Sequence, residues 1–585
     1  MDICFLGGAQ TVTGSQFLLT TSRAKVLIDC GMFQGSPNES IRNRIPLGFD
    51  PTELDAILLT HAHLDHCGLI PHVVELGFNG PIWATKGTVE LAGLVLLDSG
   101  KLQEEFAKRG RRWVVRHPDR ARQEEVEERA AYAAAVELAA AADSGDTSEH
   151  VPTSVEPDRP PEGTPERRHP TGGAHGHDPR RFGRRRFDAA WMVPTDGHTP
   201  RSEPALTDAP PYSIAPNPEM ALVTQPPMLE VDLDEPLYDE RAARQALERF
   251  RAIEYGDDVE VAPGVRATFV DAGHILGSAI ITLRVQDAPD GPTRRIVASG
   301  DLGRRDTPIL RDPTILTEAD DLLVETTYGG REHEPSEESV RMLAEVVRMV
   351  ADSDGVLLIP SFAIGRTQEV VWELDRLIER GEIPLLPLFL DSPMASRATE
   401  VYRHHPEYYD EETRTLLETG ETPLDYPNQT ITNDVKQSAQ ILRSPRPFMI
   451  VASNGMLTGG RVVGHLRELI DDPRATILFV GYQGQGTLGA HLQAGAKTVR
   501  IDGQVRDVRC RIRSISGFSA HADESEILEW LSNFARGKRP GDLGFPRHVF
   551  LVHGDPEAQA AIEPKIRALG LPTHIPRWHE SVTLD

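Results

Sequence analysis

The chain has 585 residues, a formal net charge of -27 and four cysteines. This length is too great for one hydrophobic core and predicts two or three domains. The cysteines form no CxxC pair and no disulfide framework of the secreted kind, so a reducing cytoplasm is expected. No stretch reaches the roughly 18 apolar residues of a membrane span, and the first residues do not resemble a signal peptide.

Residues 1 to about 107 alternate short apolar strands with turns, and a helix is predicted from 88 to about 108. Strands that alternate with helices are typical of an α/β fold. The apolar run 56–60 is followed by His61-x-His63-x-Asp65-His66. Side chains two apart on an extended segment point the same way, so His61 and His63 can bind one metal ion.

Asp65 and His66 fall where a strand-to-helix turn is predicted, and they can reach a second ion. Imidazole and carboxylate ligands suit zinc. The alternative is a polar turn with satisfied histidines. That alternative weakens because the chain repeats the pattern at other strand ends.

The segment 109–228 is predicted to be an insertion of a different kind. Residues 119–142 are rich in Ala, Glu and Arg and predict a helix that begins after Pro118. Residues 143–228 are dense in Pro, Gly, Asp, Ser and Thr, which predicts a long loop without a core. Within them, the arginine and aromatic residues of 180–187 suggest an RNA-contacting arm, but a solvated linker is the favoured interpretation.

Other metal-ligand residue types follow further predicted strands, each with glycine nearby to let the backbone turn. They are His274 after the run 267–270, Asp301 after 296–300 and His553 after 549–552. Asp29 ends the run 26–28 and can orient a ligating histidine. A lone histidine after a strand is usually structural, but this repetition along one chain predicts a metal centre.

The series Asp29, His61-x-His63-x-Asp65-His66, His274 and Asp301 resembles the metallo-β-lactamase superfamily. Three more segments resemble motifs A, B and C of its β-CASP nucleases. They are Glu325 in 323–329, His521 in 517–523 and His553 in 551–554. The resemblance spans residues 1 to about 107 and about 229 to 585, and after residues 235–238 a helix is predicted to about 251. The pattern is similar to that of bacterial and archaeal relatives of the endonuclease subunit of the cleavage and polyadenylation specificity factor.

The resemblance implies an α/β architecture, a metallo-β-lactamase αββα sandwich with an inserted β-CASP α/β cap domain. It implies that residues 1–330, which include the insertion, and 511–585 form the sandwich, and that 331–510 form the cap. In the cap, predicted helices at 336–352 and 367–380 alternate with apolar runs typical of a mainly parallel sheet. We expect the active site in the cleft between the two domains.

The resemblance also implies two zinc ions per chain and their ligands. His61, His63 and His274 correspond to the ligands of one ion, Asp65, His66 and His553 to those of the other, and Asp301 to the bridge between them. Two such ions can activate a hydroxide for attack on a phosphodiester.

Three residues are candidates for catalysis. Asp65 is a candidate acceptor for the proton of the attacking water, and His521 is a candidate general acid for the leaving oxygen. Glu325 is expected to orient His521, although a buried structural carboxylate is the alternative.

Five residues of the cap are candidates for contact with phosphate or RNA: Arg366, Thr367, Ser453, Gly455 and Arg461. Arg366 and Arg461 lie beside glycine turns that open predicted helices, where backbone N–H groups can hold phosphates. Ordinary helix capping is the alternative.

The histidine of motif C is typical of members that act on RNA, so the resemblance implies a zinc-dependent ribonuclease of RNA processing or decay. Single-stranded RNA is the expected partner, and endonucleolytic cleavage is favoured over 5′–3′ exonucleolytic action. The charge of -27 argues against tight nucleic-acid binding unless basic groups cluster locally. A small-molecule metallo-hydrolase and a partner-dependent RNA-processing subunit remain alternatives. No membrane partner is expected, and the oligomeric state, a homodimer included, is left open.

Overall fold

The computed structural model describes residues 1–35, 37–116, 118–143, 235–422, 424–484 and 486–584. These residues form two seven-stranded sheets, one six-stranded sheet and a small hairpin. The predicted loop 143–228, which contains the arginine-rich segment 180–187, lies outside the described residues except for its first residue.

The first sheet combines the start of the chain with its end. Its strands are β1 (Asp2–Gly7), β2 (Gln16–Thr20), β3 (Lys25–Ile28), β4 (Ala56–Leu58), β5 (Ile82–Thr85), β6 (Phe250–Ile253) and β22 (Glu580–Thr583). They are ordered β22-β1-β2-β3-β4-β5-β6. Strands β3 to β6 run parallel, so the loops after β3 and β4 leave from the same edge.

The second sheet has the order β21-β20-β11-β10-β9-β8-β7. Its strands are β7 (Asp258–Ala262), β8 (Val265–Asp271), β9 (Ala279–Gln286), β10 (Thr293–Ala298), β11 (Asp321–Glu325), β20 (His548–Val552) and β21 (Thr573–His574). Because β10, β11 and β20 are parallel neighbours, the loops that follow them also leave from one edge.

The two sheets pack face to face. Ile3 and Phe5 alternate along β1 and share a core with Phe269 and Ile281 of the second sheet. The outer faces are covered by helices α3 (Ile70–Glu75), α4 (Lys86–Arg116) and α6 (Glu240–Leu247) on the first sheet and by α14 (Glu524–Ala535) and α15 (Pro556–Ala568) on the second. This layering confirms the predicted αββα sandwich.

Two predicted helix ends near the insertion differ from the structure. Helix α4 continues to Arg116 rather than ending near 108, so it crosses the predicted start of the insertion. Arginine favours helix. The next helix, α5 (Pro118–Asp143), agrees with the prediction for 119–142. Helix α6 was predicted to reach about 251, but it ends at Leu247 because β6 pairs there with β5.

The third sheet is built from residues that lie between β11 and β20 in sequence. Its strands are β12 (Val356–Pro360), β13 (Leu388–Leu390), β14 (Gln429–Ile431), β15 (Phe448–Ala452), β16 (Ala475–Phe479) and β19 (Arg511–Ser514). All adjacent pairs are parallel in the order β14-β13-β15-β12-β16-β19, as predicted. Strand β19 lies past the predicted boundary at 510, because it pairs in register with β16 and so extends the cap sheet.

Helices cover both faces of the cap sheet. The cap helices are α7 (Ser336–Asp352), α8 (Arg366–Glu379), α9 (Pro393–His404), α10 (Glu411–Glu418), α11 (Val435–Ile441), α12 (Arg461–Leu469) and α13 (Leu488–Gln493). The short helices α1 (Pro37–Ser40) and α2 (Leu64–Cys67) and the hairpin of β17 (Thr498–Ile501) and β18 (Gln504–Asp507) complete the elements. The predicted helix at 336–352 has the expected bounds, and that at 367–380 differs by one residue at each end.

The cap is anchored directly on the sandwich. The Tyr402 hydroxyl accepts a hydrogen bond from the backbone N–H of Leu276 at 3.2 Å, and the Tyr408 hydroxyl accepts one from Gly87 at 3.2 Å. Leu276 lies in the loop that follows β8, so the cap contacts one of the loops that carry predicted metal ligands. Among the described residues, no helix is long and apolar enough to cross a membrane.

Candidate metal centre

The predicted metal ligands come together where the strand ends of both sheets meet. His61 and His63 follow β4, and Asp65 and His66 lie in α2. The other ligands follow strands of the second sheet: His274 follows β8, Asp301 follows β10 and His553 follows β20. The shared edge of parallel strands therefore places residues that are hundreds of positions apart in one site.

Besides the set Asp301, His521 and His553, two groups of side chains have ligand atoms that all lie within 4.8 Å of one another. One group is His61, His63, His274 and Asp301, and the other is Asp65, His66 and His553. Asp301 links them through its two oxygens. Its Oδ2 lies 3.4 Å from His61 Nε2 and 3.5 Å from His274 Nε2. Its Oδ1 lies 3.3 Å from His66 Nε2 and 3.4 Å from His553 Nδ1.

The side chains fit metal ions better than they fit one another. His63 Nε2 and Asp301 Oδ1 are buried and have no hydrogen-bond partner among the described residues. Nitrogens of different histidines also face each other, with His66 Nε2 3.4 Å from His553 Nε2. Buried acceptors without donors are costly, and cations bound by imidazole and carboxylate would satisfy them.

Burial and neighbouring charges set the protonation of several candidate ligands. It lowers the pKa of His61 and His274 well below the usual value, which favours the neutral imidazole that binds metals. Burial alone would raise the pKa of Asp301, but the nearby histidines, His553 foremost, outweigh it and hold that pKa well below its usual value. The carboxylate form needed for bridging is thus favoured.

Asp29 lies behind the ligands, at the place where sequence predicted an orienting carboxylate. Its Oδ2 accepts a hydrogen bond from His66 Nδ1 at 2.7 Å, which leaves Nε2 of that ring to face Asp301. Thr60 fixes Asp29 in turn, through its backbone N–H at 2.8 Å and its hydroxyl at 2.9 Å. Thr60 was not singled out in the sequence, because one threonine at a strand end carries no specific signal.

His521 and Glu325 form a pair beside the ligands. His521 Nδ1 donates to Glu325 Oε1 at 3.0 Å, and its ring centre lies 4.6 Å from that of His274. Glu325 is fully buried and also accepts from the backbone N–H groups of Leu302 and Thr327. Burial lowers the pKa of His521, but the Glu325 carboxylate outweighs it, so the pKa is raised and the imidazolium is favoured.

The predicted phosphate-contact residues lie at the carboxyl ends of β12 and β15, on one edge of the cap sheet. This edge is close to the metal centre, because the Phe362 ring lies 6.3 Å from the His63 ring. A Cβ atom added at Gly455 would come within 2.9 Å of Phe362, so glycine permits this close approach.

Internal partners occupy the polar side chains of this edge. Arg366 is buried and pairs with Glu369, while Arg461 Nη1 donates to Asp391 at 2.8 Å. The Thr367 hydroxyl donates to the Phe362 carbonyl at 2.7 Å, and the hydroxyls of Ser453 and Ser392 are 2.9 Å apart. Neither arginine presents an unpaired guanidinium, and a phosphate contact by any of these residues stays a prediction.

Sequence reasoning missed two residues beside the site. His333 Nε2 donates to the backbone carbonyl of His521 at 3.0 Å, which supports the loop that carries His521. Arg304 follows Asp301 by three positions and is buried. The second residue had a usable signal, since an arginine so close to a predicted metal ligand is placed to contact an anionic substrate.

Comparisons with known proteins agree with this arrangement. Three family models match: the metallo-beta-lactamase superfamily over residues 10–178, the Beta-Casp domain over 367–492 and the Zn-dependent metallo-hydrolase RNA specificity domain over 505–576. Ribonuclease TTHA0252 of Thermus thermophilus is 30% identical over 582 residues, which cover 100% of both chains.

Two relatives from archaea are similar over part of their length. Transcription termination factor FttA of Methanosarcina mazei is 26% identical over 564 residues, which cover 94% of this chain and 67% of the relative. FttA of Pyrococcus abyssi is 32% identical over 393 residues, which cover 65% of this chain and 58% of the relative. As the sequence motifs predicted, the chain belongs to the β-CASP family of the metallo-β-lactamase superfamily.

Proposed function

We propose that this chain is a zinc-dependent ribonuclease that hydrolyses phosphodiester bonds of single-stranded RNA. The observation that carries the proposal is Asp301, whose two oxygens face opposite groups of histidines. A carboxylate shared in this way is typical of two-metal hydrolases. The name of the Thermus thermophilus relative and the RNA specificity domain support RNA as the substrate.

The proposed ligands divide between two zinc ions. His61, His63 and His274 would hold one ion, Asp65, His66 and His553 the other, and Asp301 both. When bound, the ions supply positive charge and Lewis acidity for phosphodiester hydrolysis. Asp29 keeps His66 oriented toward its ion by accepting a hydrogen bond from Nδ1 of that ring.

The proton transfers are assigned to two residues of the chain. Asp65 is partly exposed at the rim of the centre and accepts a proton from the attacking water. His521 donates a proton to the leaving oxygen of the RNA, and Glu325 holds the ring in position through Nδ1. Since Glu325 is itself fixed by two backbone N–H groups, the His521 ring is held in one orientation.

The RNA is proposed to lie in the cleft between the metal centre and the facing edge of the cap sheet. Ser453, Gly455 and Thr367 would line its path, with Arg366 and Arg461 behind them. The four cysteines are free, which supports the inference of a cytoplasmic location. Sedimentation of the zinc-loaded protein would show whether it acts as a homodimer.

The proposal is tested by incubating end-labelled single-stranded RNA with the zinc-loaded protein. The Asp65→Ala, His66→Ala double variant should lose cleavage, whereas His404→Ala, which changes an exposed histidine of the cap, should retain it. Internal fragments would indicate endonucleolytic cleavage, and mononucleotides alone would indicate a 5′–3′ exonuclease. Hydrolysis of carboxylic esters without cleavage of RNA would overturn the proposal.

A further inference from the structure

Arg304 is a buried cation that lacks the partners a buried cation usually has. Its side chain belongs to a residue that is only 7% exposed. Its Nε atom is buried and has no hydrogen-bond partner, and none of the ion pairs among the described residues includes it. The adjacent Arg305, in contrast, is exposed and forms an ion pair with Glu529 at 2.7 Å.

The carboxylates around Arg304 are already engaged. Burial raises the pKa of Glu369, and the charges of Arg366 and Arg304 oppose that rise. The ion-pair partner of Glu369 is Arg366. Burial raises the pKa of Glu526, and the charge of Arg304 partly opposes that rise. The two carboxylate oxygens of Glu526 accept hydrogen bonds from the backbone N–H groups of Arg305 and Asp523, each at 2.9 Å. Both of these acids are therefore bonded to groups other than Arg304.

The position of Arg304 connects it to the chemistry. The preceding Gly303 pairs with His521 in an antiparallel bridge, and Leu302 accepts the backbone N–H of Ala522 at 2.8 Å. Burial first, and the charge of Arg304 second, lower the pKa of His333 to about 4, and His333 Nε2 donates to the backbone carbonyl of His521 at 3.0 Å.

A guanidinium that is buried without a partner destabilises a fold, so its retention is better explained by an anion that binds there. The planar fork of arginine, with five N–H donors, matches the oxygens of a phosphate. Arg304 is three positions from Asp301, a separation of at most about 11 Å along the backbone. A phosphate held by Arg304 would therefore lie on the part of an RNA strand that passes the metal centre.

We propose that Arg304 binds a backbone phosphate of the RNA next to the scissile one and so positions the strand between the metal centre and His521. This inference rests on the proposed ribonuclease function. It predicts that Arg304 contributes to the cleavage of a polynucleotide but not to the hydrolysis of a substrate with a single phosphate.

The first test compares two substrates in zinc-loaded Arg304→Met, Arg304→Lys and the matched control Arg305→Met. With single-stranded RNA, Arg304→Met should lower kcat/KM by about 10- to 100-fold, Arg304→Lys less, and Arg305→Met less than about 2-fold. Hydrolysis of bis(p-nitrophenyl) phosphate should stay within about 2-fold in all three. Equal losses on both substrates would overturn the proposal, because they would indicate damage to the metal centre.

The second test does not depend on cleavage. Fluorescence anisotropy of labelled single-stranded RNA is measured on the zinc-loaded His521→Ala protein, with and without Arg304→Met. The added substitution should raise Kd about 10-fold and reduce the slope of log Kd against log salt concentration by about 0.7, the value for one phosphate contact on a single strand. Unchanged Kd and slope would overturn the proposal. If the wild-type protein hydrolyses the diester but not RNA, the ribonuclease proposal fails, and this binding experiment still decides the role of Arg304.

Thermal unfolding separates binding from a structural role. Because Arg304 makes no hydrogen bond through Nε and no ion pair, Arg304→Met should unfold at the same temperature as the wild-type protein or higher. A lower unfolding temperature together with wild-type RNA binding would assign Arg304 to the fold. Arg304→Lys, which keeps the charge, provides the comparison if the methionine variant does not fold.

Discussion

The candidate metal centre and the facing edge of the cap sheet each bury an aspartate, and these two aspartates differ in their partners. In the candidate metal centre, His63 Nε2 and Asp301 Oδ1 are buried and have no hydrogen-bond partner in the part of the chain that the structure describes. At the cap edge, Asp391 accepts from Ser438 at 2.5 Å, from His465 at 2.6 Å and from Arg461 at 2.8 Å. The difference indicates that the first set is arranged for ligands that bind, whereas the second holds the frame that faces them.

The largest expected effect is at the shared carboxylate. Asp301→Ala should lower cleavage of RNA on the order of 10⁴-fold or more, because both metal positions lose a ligand. Metal analysis should show less than the two zinc ions per chain expected of the wild-type protein. Asp290→Ala, which changes an exposed aspartate between β9 and β10, is the matched control and should retain both. Full zinc content in Asp301→Ala would contradict this interpretation, because the carboxylate of Asp301 would then not be a metal ligand.

A smaller but still large effect is expected at the residue pair beside the ligands. His521→Ala should lower kcat by about 10²- to 10⁴-fold through loss of proton donation, with zinc content unchanged. Glu325→Gln should lower kcat less, since it weakens the orientation of His521 but leaves the ring in place. Rates at saturating RNA and zinc analysis are the measurements. Loss of zinc in His521→Ala would instead identify His521 as a metal ligand.

The cap edge should respond in stability rather than in metal binding. Asp391→Ala leaves the Arg461 and His465 side chains without their buried carboxylate, which should cost about 3–5 kcal/mol of unfolding free energy. Denaturant unfolding measures this loss, and zinc content should stay at the wild-type level. Wild-type stability combined with impaired RNA cleavage would show that the Asp391 network serves the substrate rather than the fold.

The smallest effect is expected at Glu373, a buried carboxyl on α8. Burial first, and the charge of Glu369 second, raise the pKa of Glu373 to about 8. The folded chain therefore binds more protons than the unfolded chain between about pH 4.5 and 8, so this group makes the fold less stable as pH rises through that window. Glu373→Gln should stabilise the protein at pH 8.5, on the order of 1–3 kcal/mol, and little at pH 4. Equal unfolding temperatures of the two proteins at pH 8.5 would contradict the shifted pKa.

Local patterns in the sequence were sufficient for an α/β fold and for a metal centre at the strand ends, whereas the αββα sandwich was predicted from the family resemblance. Apolar runs followed by His, Asp and Gly specify strands whose loops leave from one edge, as β4, β10 and β20 do. Such patterns did not predict contacts between side chains that are far apart in sequence. Arg461 was predicted beside phosphate, but its contact with Asp391 joins positions 70 apart, on different elements of the cap.

Two further features depended on tertiary structure. Arg304 lies in the loop after β10 of the sandwich, whereas Glu369, whose pKa is influenced by the charge of Arg304, lies on α8 of the cap. The end of α6 was displaced because pairing of β6 with β5 outweighed the helical preference of residues 248–251. Element types followed from local preference, whereas boundaries and partners were set by packing.

The central claim, that seven side chains form one two-metal centre around Asp301, is tested most directly by anomalous diffraction at the zinc edge. Crystals of the zinc-loaded protein should show two anomalous peaks about 3.5–4 Å apart. One carboxylate oxygen of Asp301 should lie within about 2.2 Å of each peak. A single peak, or peaks that Asp301 does not touch, would contradict the account.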